Sequence, residues 1–243
     1  MSEISPAEWT AILLSLRVAF VATLVATPFG IALAWLLARK EFWGKAVLDA
    51  LVHLPLVLPP VVTGYLLLLT LGRRGLVGAF LADHLGIVFA FRWTGAALAC
   101  GVMSFPLLVR PIRLSIEAID RRLEQAAETL GAAPFKVFVT VTLPLALPGV
   151  LAGMVLGFAK AIGEFGATIT FVSNIPGETQ TISSAIYSLI QTPDGDAAAG
   201  RLVMISIVLA LGALIAAEWF ARRATARLHG IDDAARRRRK AAR

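Results

Sequence analysis

Charged side chains are scarce in this chain. Asp, Glu, Lys and Arg make up 16% of its 243 residues, where soluble domains carry about 25%. That shortage argues against a disordered chain and against most ordinary soluble enzymes. Cysteine occurs once, at Cys100, so no internal disulfide forms and no Cys-x-x-Cys site exists. The three histidines, His53, His84 and His229, are far apart, and none belongs to a His-Glu-x-x-His helix. The one Gly-Lys pair, Gly44-Lys45, is followed by Ala46 and has no glycine-rich loop before it. A Walker-type nucleotide site is therefore not expected. No cofactor, metal or catalytic set is expected either, and any ATP used must be bound by another subunit.

What is present in excess is apolar. Hydrophobic residues reach 58% and mean hydropathy is +0.78. A spanning helix needs roughly 20 apolar residues to cross a hydrocarbon core about 30 Å thick. Five stretches qualify: Val18 to Ala38, Ala50 to Leu71, Trp93 to Val109, Val137 to Ala159, and Leu202 to Ala217, the last extendable through Trp219 and Phe220. The expected fold is an all-α polytopic membrane protein with about five transmembrane helices. Gly75 to Phe91 is broken by Asp83 and His84 and reads as a re-entrant or interfacial helix. Thr179 to Pro193 reads as a loop helix outside the membrane, with a sixth span as the alternative. The first span starts behind Glu3 and Glu8 and lacks a basic leader, which favours an uncleaved helix over a signal peptide.

The formal charge is +7, and its placement is uneven. With five spans, segments 39–45, 110–136 and 222–243 fall on one side and hold 17 of the 23 basic residues. The positive-inside rule then places the N-terminus outside and the C-terminus in the cytoplasm. The tail cluster Arg236, Arg237, Arg238, Arg239 and Lys240 is a topology and anionic-lipid signal on this reading, with nucleic-acid contact as the disfavoured alternative.

The most informative segment runs from Asp120 to Pro144. Leu123, Ala126, Ala127 and Leu130 fall at helical spacing and make one low apolar stripe, with Glu124, Gln125 and Glu128 around it. Asp120 is a plausible N-cap and Gly131 a plausible stop. Such a helix suits a partner's groove, a lipid surface or bundle packing. The spacing Gln125-Ala126-Ala127, three residues, Gly131, nine residues, Val141, one residue, Leu143-Pro144 resembles the Glu-Ala-Ala loop of ABC importer permeases. Gln125 replaces the family's Glu, with Glu124 beside it, and Val141 replaces Ile. Residues 54–65 (Leu-Pro-Leu-Val-Leu-Pro-Pro-Val-Val-Thr-Gly-Tyr), Gly163-Glu164-Phe165-Gly166-Ala167-Thr168, the Asn174–Thr181 string and Ala185-Ile186-Tyr187 resemble the molybdate-type members of that family. Sulfate permeases share the layout and the Ile-Pro-Gly turn.

The resemblance implies a permease domain over residues 1–221 and a basic cytoplasmic tail over 222–243. It implies a homodimer in the inner membrane, two cytoplasmic ATPase subunits and an external oxyanion-binding protein. Molybdate or tungstate would be carried, with sulfate or thiosulfate as the alternative cargo and a non-transporting scaffold as the alternative class. Glu124, Gln125, Ala126, Ala127, Leu130, Gly131, Leu143 and Pro144 would couple to the ATPase. Leu143-Pro144 and Pro148, at the start of the fourth span, suit a stiff lever.

The pathway is read from the residues themselves. Pro55, Pro59, Pro60 and Gly64 interrupt the second span, and free backbone at membrane depth is tolerated only beside protein or water. They are gate candidates or a packing kink. Lys160 and Glu164, four apart on the fourth span, form a pathway-facing pair or a self-neutralised structural one. Thr63, Ser104, Thr168 and Thr170 are the donors expected to line a route for an anion. Gly163 and Gly166 mark either a seam between two copies or packing within one.

Overall fold

The computed structural model describes residues 4–216 and Trp219; the basic tail expected at 222–243 and the extension through Phe220 lie outside them. Among the described residues every regular element is a helix. Helix α1 spans Pro6–Arg39, α2 Lys45–Val57, α3 Pro60–Leu71, α4 Leu76–Leu85, α5 Trp93–Glu117, α6 Arg121–Thr129, α7 Pro134–Ile162, α8 Gly166–Val172, α9 Ile182–Leu189 and α10 Asp196–Ala216. Four of these, α1, α5, α7 and α10, are long and apolar enough to cross a membrane.

Every expected span begins earlier or ends later than its charge-free run, because helices carry their ends past the hydrocarbon. α1 starts at a capping box: the Ser5 hydroxyl accepts from the Glu8 N–H, and the Glu8 carboxylate accepts from the Ser5 N–H. Its 34 residues make it about 51 Å long at 1.5 Å per residue. The second expected span is different in kind. Ala50 to Leu71 is not one helix but the pair α2 and α3, bent by 114°. Pro59-Pro60 causes the break: a proline disfavours helical backbone in the residue before it and removes a donor. Pro55 sits within α2. The segment 75–91 contains only the ten-residue α4, and 179–193 only the eight-residue α9. A sixth span through α9 is thereby excluded by length.

α5 is the central strut, packed chiefly on α7 and α1. Ala96, Cys100, Met103, Leu108, Ile112 and Ile116 are buried along it. The approach of α7 is close: a Cβ added at Gly149 would stand 2.6 Å from the Pro111 carbonyl oxygen, and one at Gly153 2.5 Å from that of Leu108. By contrast, Phe20, Leu24 and Phe29 on α1 and Val203, Met204, Val208 and Leu211 on α10 are exposed, an apolar belt that suits lipid.

Ion pairs sort the bundle into two ends. At one, Asp49 at the start of α2 meets Arg113 near the end of α5 at 2.9 Å, and Lys45 donates to Glu41 at 2.7 Å, holding that carboxyl below its ordinary range. At the other, Arg201 on α10 meets Glu8 on α1 at 2.9 Å.

Candidate functional site

Helix α6 forms as its sequence dictates. The Asp120 carboxylate accepts from the Arg122 N–H at 3.0 Å and caps the start. At the end, Gly131 takes φ +83°, its N–H donates to Glu128 O at 2.9 Å, and the Ala132 N–H donates to Ala127 O at 3.1 Å. That is a Schellman stop, which requires the left-handed residue glycine supplies.

None of the α6 residues is buried. Leu123 is 51% exposed, Leu130 88%, and Phe135 just beyond 78%. Gln125 and Ala126 are exposed too, while Ala127 is half-buried. Among the described residues it is Glu124 that ties α6 to the bundle by side-chain hydrogen bonds and an ion pair. Its carboxylate lies 3.0 Å from Arg39 Nε at the end of α1 and accepts from the Thr142 hydroxyl at 2.6 Å. Arg39 also donates through Nη2 to Ile119 O at 3.3 Å. The Glu124 carboxylate thus joins α6 to α1 and α7, and Arg39 in turn ties in the α5–α6 turn.

Thr142 ends a π-helical turn, Phe138–Thr142, in which the Leu143 N–H donates five residues back to Phe138 O. This changes the expectation for Leu143-Pro144. They do not open the fourth span. The helix starts at Pro134, and Leu143-Pro144 follow the π turn inside it. Pro144 has no N–H for the Thr140 carbonyl, and a widened turn relieves the ring clash that proline brings inside a helix.

The second cluster assembles around the break between α7 and α8. α7 ends at Ile162, and Gly163, Glu164 and Phe165 are non-helical. Glu164 is therefore just past the fourth span rather than on it. Its side chain is 1% exposed, with Lys160 Nζ at 2.8 Å and the Ala167 N–H donating at 3.0 Å. The carboxylate neutralises the lysine and satisfies the first turn of α8, so the self-neutralised reading of the pair has geometric content.

α8 is pressed against α3 by two glycines. A Cβ at Gly64 would stand 2.5 Å from Ala167 O, and one at Gly166 2.7 Å from the Pro60 Cβ. Pro60, Val61 and Gly64 are thereby brought onto Gly166, Ala167 and Thr170. Gly166 packs within this chain. Gly163 is exposed, and a Cβ there would meet only its own helix carbonyls at 3.9 Å.

The four expected hydroxyl donors part company. Thr168 donates to Phe165 O at 2.9 Å, Thr170 to Gly166 O at 2.8 Å, and Ser104 to Gly101 O at 3.3 Å. Ser104 is also fully buried, on α5, where it faces Gly157 of α7. Thr63, 6% exposed, is the one of the four whose hydroxyl has no partner among the described residues. Nearby, the 174–181 string folds as a turn: the Thr179 hydroxyl accepts from the Ile175 N–H at 2.9 Å, and the Asn174 amide donates to Ser188 at 2.6 Å, leaving its buried oxygen unpaired.

A family model described as the binding-protein-dependent transport system inner membrane component matches residues 26–226. The chain belongs to that family. It is 63% identical over 215 residues to the molybdenum transport system permease protein ModB of Escherichia coli strain K12, covering 88% of this chain and 94% of that one. It is 57% identical over 216 residues to the ModB protein of Haemophilus influenzae, covering 89% and 94%. A chain of the bacterial alginate ABC transporter, solved in complex with its alginate pentasaccharide-bound periplasmic protein, has a TM-score of 0.71 at 20% identity, over 90% of this chain and 80% of that one, a likeness of fold.

As an inner membrane component, the protein is a multi-pass membrane transport subunit. Two of its contact residues escaped sequence reading. Arg39 was visible only as one of many basic residues beside a span, and its partner lies 85 positions away. Thr142 gave no signal, because the π turn that presents it depends on a proline two residues later. The glycines Gly149, Gly153 and Gly157 also went unread; their four-residue spacing, a mark of close helix packing, was the signal that could have found them.

Proposed function

We propose that this chain is the membrane permease of an ATP-driven importer that carries molybdate inward, the cargo for which its bacterial relatives are named. In the assembled transporter two copies of the chain would meet, with two ATPase subunits on the cytoplasmic side and an anion-binding protein outside. Orientation follows from charge: Arg39, Lys45, Arg113 and α6 gather at one end of the bundle, which the positive-inside rule makes cytoplasmic. The chain would supply no ATP site of its own.

The observation that carries this reading is α6 itself. It is a well-capped helix with Leu123 and Ala126 exposed, tied to the bundle through Glu124. The exposed Leu123, Ala126, Leu130 and Phe135 suit a groove on an ATPase. Closure of the ATPases on ATP would push the two α6 helices together. Glu124 would pass that movement to α1 through Arg39 and to α7 through Thr142. Packed helices respond in discrete steps rather than by bending freely. The spans would then open outward to receive the anion, and hydrolysis would reset them inward.

The anion route is assigned to the α3–α8 crossing. An oxyanion needs donors, and Thr63 keeps one uncommitted. Lys160 is already neutralised by Glu164, so no strong fixed cation would trap the cargo. The test is uptake into proteoliposomes holding this chain, its ATPase and its binding protein. ATP-dependent molybdate accumulation is expected; a fully assembled complex that hydrolyses ATP without moving molybdate would refute the assignment.

A further inference from the structure

Away from both clusters, an apolar groove of about 690 Å³ runs between α1, α2 and α5. Val21, Val25 and Phe29 line it from α1, Pro55 from α2, and Trp93 and Phe105 from α5; no charged side chain lines it. Val21, Val25 and Phe29 are four residues apart, and Arg17 is the next position on that ridge. The Arg17 guanidinium carbon lies 3.8 Å from the centroid of the Trp93 ring, so the cation caps one end of the groove. Arg17 is exposed, and no carboxylate pairs with it among the described residues. Arg92, exposed beside Trp93 in sequence, adds a second positive charge.

Depth fixes what surrounds this cap. Arg17 and Arg39 bracket a charge-free stretch of α1, residues 18–38, about 32 Å long at the helical rise. That matches a hydrocarbon core of about 30 Å. Arg17 therefore stands at headgroup level, on a tryptophan of the kind that marks membrane interfaces. The groove descends from it into the hydrocarbon. A planar guanidinium with free donors matches a phosphate, and an apolar trough below it matches an acyl chain.

We propose that this groove is a binding site for one anionic phospholipid, in the leaflet on the side of the α1 N-terminus. One acyl chain lies along Val21, Val25, Phe29 and Phe105, and the headgroup phosphate accepts hydrogen bonds from Arg17. The site makes this end of the permease sensitive to lipid charge.

The test uses the full-length chain, purified in its assembled form and placed in nanodiscs. Phosphatidylglycerol and phosphatidylcholine, each with a photoreactive acyl chain, are compared as probes. Phosphatidylglycerol is expected to label peptides spanning 21–29 and 93–105 preferentially. Arg17→Ala should cut that preference about fivefold, the attraction of one arginine for an anionic surface, while Arg17→Lys retains most of it and so reports that the fold survives. Gly101→Leu should abolish labelling by both lipids: a Cβ there meets only Ala22, at 3.8 Å, so the side chain is accommodated and fills the groove. Label outside the groove, equal labelling by the two lipids, or no effect of Arg17→Ala would overturn the proposal. So would a disulfide between copies formed by Val25→Cys and Phe105→Cys, which would put a second copy in the groove.

Discussion

The carboxylate of Glu124 on α6 is held 3.0 Å from Nε of Arg39, the last residue of α1. The side chains are 15% and 8% exposed, so water screens the pair little. The residue at the family's Glu position, Gln125, points to solvent, and its neighbour does the anchoring. Truncating one partner of a buried pair costs about 3–5 kcal/mol because the other charge is stranded. Arg39→Ala should therefore lower the thermal stability of the purified chain by an amount near the bottom of that range. Arg39→Met with Glu124→Leu should recover part of it. A double-mutant cycle on the melting transition measures the coupling.

Glu124→Gln makes a sharper functional prediction. The amide oxygen can still accept from Thr142, but the charge that holds Arg39 is gone. ATP hydrolysis by the assembled complex should persist while transport per ATP falls, on the order of tenfold for about 1.4 kcal/mol of lost coupling. Uptake and hydrolysis measured on the same vesicles give the ratio.

The α6 surface should behave as a docking face and not as core. Leu130→Asp and Phe135→Ser place polar groups where the side chains are already 88% and 78% exposed. The chain's own melting temperature should hardly move, whereas co-purification with the ATPase should be lost. Gly131→Val should fail for a different reason: a φ of +83° costs a β-branched residue roughly 1–2 kcal/mol, and the Schellman stop would loosen.

The sequence laid out more of this protein than its contacts suggest. Asp120, the alanine stripe and Gly131 were readable because helix caps act within four residues. Long spans were readable because lipid demands continuous apolar surface. What was not readable depended on distance or on a break. The break at Pro59-Pro60 was visible as an interruption, but not its angle of 114°, nor that α8 packs onto α3 beyond it. Arg39 with Glu124 could not be paired from positions alone. The hydroxyls of Ser104, Thr168 and Thr170 looked as available as that of Thr63 until their own helix carbonyls were seen to claim them.

Glycine substitutions separate the α3–α8 crossing from its surroundings. Gly64→Ala puts a methyl 2.5 Å from a backbone oxygen, and Gly166→Ala puts one 2.7 Å from Pro60; both should force the helices apart and reduce uptake sharply. Gly163→Ala meets nothing closer than 3.9 Å and should transport nearly as well as the parent. Initial uptake rates of the three variants, at matched protein in the membrane, check this.

Whether Thr63 serves the anion is measured by molybdate uptake of Thr63→Val in proteoliposomes with the ATPase and binding protein present, beside Ser104→Ala as control. A buried hydroxyl without a partner costs about 1–3 kcal/mol, so removing it with a residue of equal shape should leave the chain as stable or more so. Thr63→Val is expected to melt no lower than the parent yet carry ATP-driven molybdate several-fold more slowly, with Ser104→Ala little changed and excess sulfate a poor competitor throughout. Full-rate uptake by Thr63→Val, or uptake suppressed by sulfate as readily as by unlabelled molybdate, would contradict this expectation.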